Sequence, residues 1–462
     1  LPNIFPPRGY SLLVWIAVVP FFYALKKADL KQRCILGMIS GIASYSLIVN
    51  WVFPFSFSGG AVFVLYLSLQ PVLFSALFPH DGKHAAVNGI YAAALWAASE
   101  YTRGILIGGF SWGISHALSF EPYFIQAAST TGAYGISFFI ILANYFLFVF
   151  FEKRTDIRYL LYFIAVPLGL YCSGFLYINK NSPLNETGIK IAVIQGNIDP
   201  VKKWDDDFAE EIFNTYEKLT GDARSDKPDI VIWPETSLPR DYINDSGARS
   251  RIESLSRGLG SYLLVGAPLM DKDGNFNSAL LFFRGIAVKR YDKMLLVPFS
   301  ENIFEKGRMP GMFEIENEHM NGGEPFRFGV TICSEDLYQF LPVYLVDSGA
   351  DFMINITNDA VLGRSRAAYV HLGASVMRAV ETGRSTVKCA NSGISCFIDE
   401  YGRITGNVSR NGEEVFVAGF FTDNVSLGRG KTFFLKSRGF FLTVCFIISA
   451  YFIALKRKEF FK

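Results

Sequence analysis

Three apolar runs in this sequence each end on a residue able to take part in covalent chemistry. Phe328-Gly-Val-Thr-Ile-Cys333-Ser-Glu335-Asp336 delivers a cysteine into a polar turn. Asp229-Ile-Val-Ile-Trp-Pro234-Glu235 stops at a proline and a carboxylate, and Tyr291-Asp-Lys293-Met-Leu-Leu-Val-Pro298 carries a lysine. A thiol at its free pKa is only slightly ionised at neutral pH, so a nucleophilic cysteine needs a base or a nearby cation. Glu235 can take the thiol proton, and Lys293 can hold the thiolate and then the oxyanion formed on attack at an acyl carbonyl. Singly, each residue has a plainer reading. A free cysteine usually packs as a small hydrophobe, and a strand-end glutamate or a lone lysine is ordinarily solvated. The three strand ends together favour a nucleophilic site.

The elements that must position these residues lie between about 188 and 425, where the composition is that of a water-soluble domain. Ile189-Lys-Ile-Ala-Val-Ile-Gln195-Gly196-Asn197 reads as a strand that ends in a polar turn. Trp204 follows in Lys202-Lys-Trp-Asp, then a helix from about 206 to 220. Further strands are predicted at Tyr262-Leu-Leu-Val-Gly-Ala-Pro and Asn277-Ser-Ala-Leu-Leu-Phe-Phe, with helical stretches between. Strands alternating with helices at this spacing indicate α/β layering. The hydrophobic stretch from Pro298 to about Gly322, with Met309, Pro310, Met312 and Phe313, reads as a loop able to act as a lid.

Half of the 462 residues are hydrophobic and 16% are aromatic, too apolar for an ordinary soluble enzyme. The excess falls in runs at about 10 to 25, 34 to 54, 61 to 79, 85 to 107, 124 to 151 and 159 to 178, and again at 438 to 455. Most approach the roughly 17 to 25 residues that cross a bilayer, and six in series predict a polytopic membrane domain over 1–180 with a last span in 436–462. Lys26, Lys27, Lys31, Arg33, Lys83, Lys153, Arg154, Arg158 and the terminal Lys456, Arg457, Lys458 and Lys462 fall in alternate loops, whereas 55 to 60 and 108 to 123 carry no lysine or arginine. The positive-inside rule then puts the charged loops and the C-terminus in the cytoplasm and the soluble domain outside. The opening Leu1-Pro-Asn-Ile-Phe-Pro-Pro-Arg8 reads as the tail of a segment already begun.

Within the membrane part, Glu100 and Arg103 sit near the end of a span, where ionisable residues are functional suspects. Being i,i+3 neighbours they fit a structural ion pair as well as a substrate contact. The six cysteines (Cys34, Cys172, Cys333, Cys389, Cys396 and Cys445) have neither zinc-ligand spacing nor the pattern of a disulfide framework, and the five histidines are scattered. No metal and no other cofactor is expected. A net charge of +2 without a basic aromatic patch gives no sign of nucleic acid.

Trp233-Pro-Glu235, Tyr291-Asp-Lys293-Met-Leu-Leu-Val-Pro-Phe and Ile332-Cys333-Ser-Glu335 resemble the motifs of the nitrilase superfamily, and Asn355-Ile-Thr-Asn358-Asp359, Arg378-Ala-Val-Glu381-Thr-Gly-Arg384 and Asn391-Ser-Gly393 match further along. With spans on both sides, nearly the whole chain resembles the apolipoprotein N-acyltransferase family. That resemblance implies an αββα sandwich carried on transmembrane helices in the bacterial inner membrane, with the catalytic domain on the periplasmic side. It implies that an acyl chain passes from the sn-1 position of a phospholipid, typically phosphatidylethanolamine, to the thiol as a thioester. From there it goes to the α-amine of a diacylglyceryl-cysteine at the N-terminus of an apolipoprotein. Carried over residue by residue, Cys333 is the nucleophile, Glu235 the general base and Lys293 the oxyanion stabiliser. Glu301 and Glu335 match supporting acids, Trp204 matches a tryptophan near the lipid entrance, and Asn358 lies in a matching motif.

The sequence departs from the family at Ser334, where tyrosine is common, at Ser300 for glycine, at Val361 for tryptophan and at Ser111 for proline. None of these touches the triad. Two other readings use part of the same residues: a membrane-anchored nitrilase-type amidase that passes the acyl group to water, and a non-catalytic membrane scaffold. The spans and the Trp204 region argue against the amidase, and an intact triad argues against the scaffold.

Overall fold

The computed structural model describes residues 10–460 apart from 55, 80–83, 110–111, 154–155, 182–187, 298–299, 317–324, 429 and 438, with the side chains of 456–460 also undescribed. Ser111, Lys83, Arg154, the linker ahead of the first strand and the charged side chains at the C-terminus therefore lie outside the described residues. The chain divides into two compact units, Leu1–Ser182 with Lys431–Lys462, and Pro183–Gly430.

The first unit is helical. Its long helices are Leu30–Ile48, Phe57–Ala76, Ala85–Leu106, Ala133–Glu152, Ile157–Asn181 and Phe440–Phe460. Phe57–Ala76, Ala133–Glu152 and Ile157–Asn181 are long and apolar enough to cross a membrane, and Ser11–Lys26 and Phe440–Leu455 are shorter apolar segments. Two of the expected spans are not single helices. Ser11–Trp15 is a 3-10 turn ahead of Val19–Lys26, which takes Pro20 in its first turn, where no partner N–H is lost. The apolar run from 124 begins with the short helices Pro122–Ile125 and Ala128–Thr131, and Gly132, at φ 70°, turns the chain into Ala133–Glu152.

Small residues let two of the helices approach closely, since a Cβ on Gly41 would lie 2.6 Å from that of Ser68. Phe22 stacks on Phe78 at 5.2 Å and meets Phe148 edge-on at 6.0 Å in an aromatic core. Glu100 and Arg103 take separate partners rather than each other. Glu100 accepts from Trp96 Nε1 at 2.9 Å and from the Ile114 amide at 2.8 Å. Arg103 donates to Tyr45 Oη at 2.6 Å, to Gln70 Oε1 at 3.1 Å and to the Trp112 carbonyl. Both residues thus anchor the uncharged loop after their helix, a structural role the i,i+3 spacing did not distinguish.

Among the described residues of the second unit, twelve strands form two sheets. The first contains β1 (Gly188–Gln195), β2 (Ile230–Ile232), β3 (Tyr262–Asp271), β4 (Gly274–Phe283), β5 (Ile286–Asp292) and β12 (Gly419–Ser426), in the order β12-β1-β2-β3-β4-β5. The second contains β6 (Gly311–Ile315), β7 (Phe326–Ile332), β8 (Phe352–Thr357), β9 (Thr386–Ala390), β10 (Cys396–Ile398) and β11 (Ile404–Asn407), in the order β11-β10-β9-β8-β7-β6. Parallel pairing holds β1 to β2 and β2 to β3 in one sheet, and β7 to β8 and β8 to β9 in the other.

The two-residue period of a strand sorts the side chains between layers. Ile189, Ile191 and Val193 enter the core between the sheets beside Phe328, Val330 and Ile354. Ala192 and Ile194 face the other way, against Ile212, Phe213 and Tyr216 of the helix Ala209–Ala223 and Ile252 of the helix Ser246–Leu259. Helices Phe340–Asp347 and Ala367–Thr382 pack with the second sheet, giving the expected αββα sandwich.

The expected lid loop is corrected in part. Gly311–Ile315 is a strand paired antiparallel with β7, and Phe313, 1% exposed, stacks on Phe328 at 5.4 Å. Its residues alternate between buried and open positions, the signature of an edge strand with one face on the core. Residues 298–299 and 317–324 of that stretch are outside the described set.

Sheet and loop meet tightly at Gly266 in β3, where a Cβ would lie 2.2 Å from the Pro234 carbonyl oxygen and 2.7 Å from Glu235 Cα. Backbone on the far side cannot rotate away. Gly266→Ala is therefore expected to destabilise by about 1–3 kcal/mol, read as a lowered thermal unfolding midpoint of the detergent-solubilised chain. An unchanged midpoint would mean that the turn at Pro234 is free to move.

Candidate active site

The carboxyl ends of β2, β5, β7 and β8 bring the candidate residues together. β2 runs out into Trp233-Pro234, and Pro234 cannot extend the ladder, so the chain turns with Glu235 5% exposed. The next residue, Thr236, has φ 44°, and Cys333, directly after β7, has φ 55°. Non-glycine residues in this region cost of order 1–3 kcal/mol each and cluster at functional sites. At Cys333 the chain passes without a linker from strand to the 3-10 turn Cys333–Leu337, which leaves the thiol at the rim of the sheet, partly buried.

Lys293 is the centre of the charge pattern. Its side chain is 0% exposed, with Nζ 2.7 Å from Glu301 Oε1 and 3.5 Å from Glu235 Oε1. Burial alone would favour the neutral amine, but the charges of Glu235 and Glu301 outweigh it and hold the ammonium above the ordinary lysine range. The carboxylates are themselves oriented. Asn277 Nδ2 donates to Glu235 Oε1 at 2.7 Å, the Asn358 amide to Glu235 Oε2 at 2.8 Å, and the Val297 amide to Glu301 Oε2 at 2.7 Å. Burial and the negative charge of Glu235 push the Cys333 thiol upward, against the pull of Lys293. The resting thiol is therefore protonated at neutral pH.

Glu335 lies beside the nucleophile in sequence but serves the backbone. Its oxygens accept from Tyr291 Oη at 2.8 and 2.9 Å, from the Met294 and Leu295 amides at 2.8 and 3.0 Å, and from the Ile332 amide at 2.8 Å. It ties the end of β5, and so Lys293, to the end of β7, and so Cys333. Burial raises its carboxyl above the usual range even against these donors.

Asn358 acts through its amide on Glu235, while its side chain accepts from Asn391 Nδ2 at 3.1 Å. Trp204 is 59% exposed on the 3-10 turn Lys202–Trp204. Of the departures, Ser334 is buried next to the nucleophile and Val361 is half exposed.

Several residues of the site were not singled out from sequence. Asn277 lies in a strand that read only as apolar, and Lys203 reads as one of two lysines in a polar turn. Asn355 Nδ2 supports the Cys333 carbonyl at 3.1 Å, and its Oδ1 accepts from Lys388 Nζ at 2.6 Å. Lys388 is buried in β9 within 3.4 Å of Asp336 Oδ2, which also accepts from Ser375 Oγ. Asp359 meets His371 Nδ1 at 2.9 Å, and a Cβ at Gly393 would lie 2.3 Å from Asp359 Oδ2. The paired motifs Asn358-Asp359 and Asn391-Ser-Gly393 carried the only sequence signal for this support, and Gly393 is needed because the carboxylate occupies its side-chain space. Among the described residues no cluster of histidine, cysteine or carboxylate is arranged to hold a metal ion.

A family model of carbon-nitrogen hydrolases matches residues 190–425, and that fold class accounts for the sandwich and for strand ends converging on a cysteine. The model of the apolipoprotein N-acyltransferase N-terminal domain matches residues 1–146. The apolipoprotein N-acyltransferase of Geobacter metallireducens is 33% identical, with 96% of this chain and 90% of that protein covered. Apolipoprotein N-acyltransferase 1 of Treponema denticola is 28% identical over 99% of this chain and 95% of its own length. A solved amidase of the nitrilase superfamily from Nesterenkonia is 16% identical, with a TM-score of 0.45, and covers 57% of this chain and 98% of its own. The chain belongs to the apolipoprotein N-acyltransferase family.

The Glu335 clamp gives a direct test. Every group that meets it is a donor, so Glu335→Gln sets an NH₂ against one of them. The loss is expected to be about 1–3 kcal/mol of stability, with slower alkylation of Cys333 by iodoacetamide. Parent-like melting and alkylation would remove Glu335 from the support of the site.

Proposed function

We propose that Cys333, Glu235 and Lys293 carry out a two-step acyl transfer from a phospholipid, through a thioester on Cys333, to the α-amine of an N-terminal diacylglyceryl-cysteine of an apolipoprotein. The observation that carries this reading is the buried Lys293 ammonium between Glu301 and Glu235 at the strand end next to a cysteine in a strained turn. Glu301, Glu335, Asn358 and Trp204 support the triad.

In the first step Cys333 Sγ attacks the ester carbonyl while its proton passes to Glu235. The oxyanion that develops is held by Lys293, whose three N–H donors outnumber its two carboxylate acceptors. Collapse breaks the bond to the glycerol oxygen, which takes the proton from Glu235 and leaves as lysophospholipid. In the second step the neutral amine attacks the thioester, Glu235 takes an N–H proton, and the expelled sulfur recovers it as the thiol. An α-amino group has a pKa of about 7.7–8.0, so a useful fraction of the acceptor is neutral near pH 7.

Aminolysis has to outrun water. The segments that follow strands in the sandwich, turns at Val201, Trp204, Ile303, Met309 and Val361 and the helix Phe340–Asp347 with Phe340 and Tyr344, carry exposed large apolar side chains. Such a rim suits a lipid substrate and an environment poor in water. It favours the transferase over the amidase reading.

The domain reading is a six-span region over 1–180, a catalytic domain over 188–425 outside the cytoplasm, and a final span in 436–462 that returns the C-terminus to the cytoplasm of the inner membrane. Two contacts support alternate loops sharing one end of the helical unit. Arg33 Nη1 donates to the Phe78 carbonyl at 3.0 Å, and Lys26 pairs with Glu152.

Intact-protein mass spectrometry of the solubilised chain with phosphatidylethanolamine tests the reading. A mass increase of one acyl chain is expected, absent in Cys333→Ala and discharged by a diacylglyceryl peptide, with transfer in that variant reduced by about 10³-fold or more. An adduct that only water discharges would make the protein a hydrolase, and transfer by Cys333→Ala would remove the cysteine from the chemistry.

A further inference from the structure

The turn that carries Trp204 also carries a buried cation, in addition to Lys293 and Lys388. Lys203 is 4% exposed, between Lys202, which reaches out to Glu211 at 3.3 Å, and the largely exposed Trp204. A lysine in a short surface turn ordinarily leaves its ammonium in water, because burial costs side-chain entropy and hydration. Here Nζ points inward and donates to the main-chain carbonyl of Glu235 at 3.0 Å, and it lies 5.8 Å from the centroid of the Trp204 ring. The Lys203 amide is itself held by the Asp199 carbonyl at 3.0 Å. One side chain thus joins the end of β1 to the end of β2 and touches both the turn of the exposed tryptophan and the backbone of the base.

We propose that Lys203 is a positioning residue and the second cation of the acyl-transfer site, locking the Trp204 turn to the Glu235 strand end and easing formation of the Cys333 thiolate. The inference rests on Cys333 being the nucleophile. The electrostatic need is visible in the groups around the thiol. Glu235, Asp359 and Glu301 all oppose its ionisation, and Lys293, which favours it, is shared between two of those carboxylates. An additional positive charge lowers the cost of the thiolate both as sulfur attacks the ester and as it leaves from the second tetrahedral intermediate. Burial lowers the Lys203 pKa to about 8, with the charges of Glu235 and Cys333 acting to keep its proton. Below that pH the ammonium is present, and as pH rises through it the charge and its help to the thiol are lost. The carbonyl contact and the tryptophan contact explain why a lysine, rather than an apolar side chain, fills this position.

The test uses the full chain in detergent and follows iodoacetamide alkylation of Cys333, quantified on its own peptide, across neutral to alkaline pH. In Lys203→Met the alkylation profile is expected to move up by about one pH unit, which is a roughly tenfold slower reaction near neutrality. Lys203→Arg keeps the charge and is expected to restore the parent rate near neutrality and to lose the inflection near pH 8. A folded Lys203→Met whose profile superimposes on the parent overturns the proposal. So does a Lys203→Arg profile displaced toward high pH, a result that stays decisive if the methionine variant fails to fold. Alkylation needs neither donor nor acceptor lipid, so a shifted profile in a protein that forms no acyl adduct would sink the acyl-transfer reading and leave the coupling of Lys203 to the thiol intact.

Discussion

A lysine ammonium sealed from water must be neutralised where it stands, and the catalytic unit is arranged around that requirement at Lys293. Its partners come from different elements: Glu235 from the turn after β2, and Glu301 from the loop after β5, eight residues beyond the lysine. Desolvation of such a charge without partners costs several kcal/mol, and the partners repay this only when their remaining lone pairs are also satisfied. Asn277, the Asn358 amide and the Val297 amide meet that condition. Since Asn358 follows β8 in the second sheet, the demand for neutrality at one ammonium also fixes how the two sheets meet.

The same constraint explains the strained backbone. A thiol that must be reached by a substrate carbonyl yet lie within the fields of Lys293 and Glu235 cannot sit inside a strand, where its side chain would enter the core or the helix layer. Turning the chain at Cys333 itself, with φ 55°, puts the side chain at the sheet rim. The left-handed conformation is over-determined by groups on both sides: Glu335 binds the Ile332 amide, and Asn355 binds the Cys333 carbonyl. Behind Asn355, the buried Lys388 and Asp336 form a further charge-compensated layer. Rigidity at Cys333 is thus supplied by groups that have no part in the proposed proton transfers.

Much of this was legible in the sequence because strand ends announce themselves. Pro234 after a β-branched run, the passage from Thr331-Ile332 into Cys333-Ser334-Glu335, and Asp292-Lys293 after alternating residues each mark a point where chemistry can leave a sheet. Glu301 and Glu335 followed from the family pattern, though the role of Glu335 as a clamp on five donor contacts is a matter of three-dimensional register. Lys203, Lys388 and Asn277 were not legible, because whether a polar side chain points into a core depends on which loops close over it. The strand Gly311–Ile315 was hidden for a similar reason. Five residues with one glycine and two methionine or phenylalanine side chains read as an apolar loop, and only pairing with β7 gives them a face to bury.

What separates a transferase from a hydrolase on such a scaffold is the surface around the thiol more than the triad. In the proposed roles Glu235 serves water and an amine alike, and Lys293 holds either oxyanion. Selectivity therefore has to come from the relative access of the two nucleophiles to the thioester. Trp204, Ile303, Met309, Phe340 and Val361 leave large apolar side chains exposed on the second unit. In the proposed reaction an acyl chain seated against that surface removes water from it. The proposed acceptor, itself a lipid-bearing cysteine, reaches that surface by the same apolar partition. Its amine then competes at high local concentration against water that has been displaced, and proximity of this kind can supply several kcal/mol of the barrier difference. Three helices of the first unit are long and apolar enough to cross a membrane, which suits the lipid substrates of the proposed reaction.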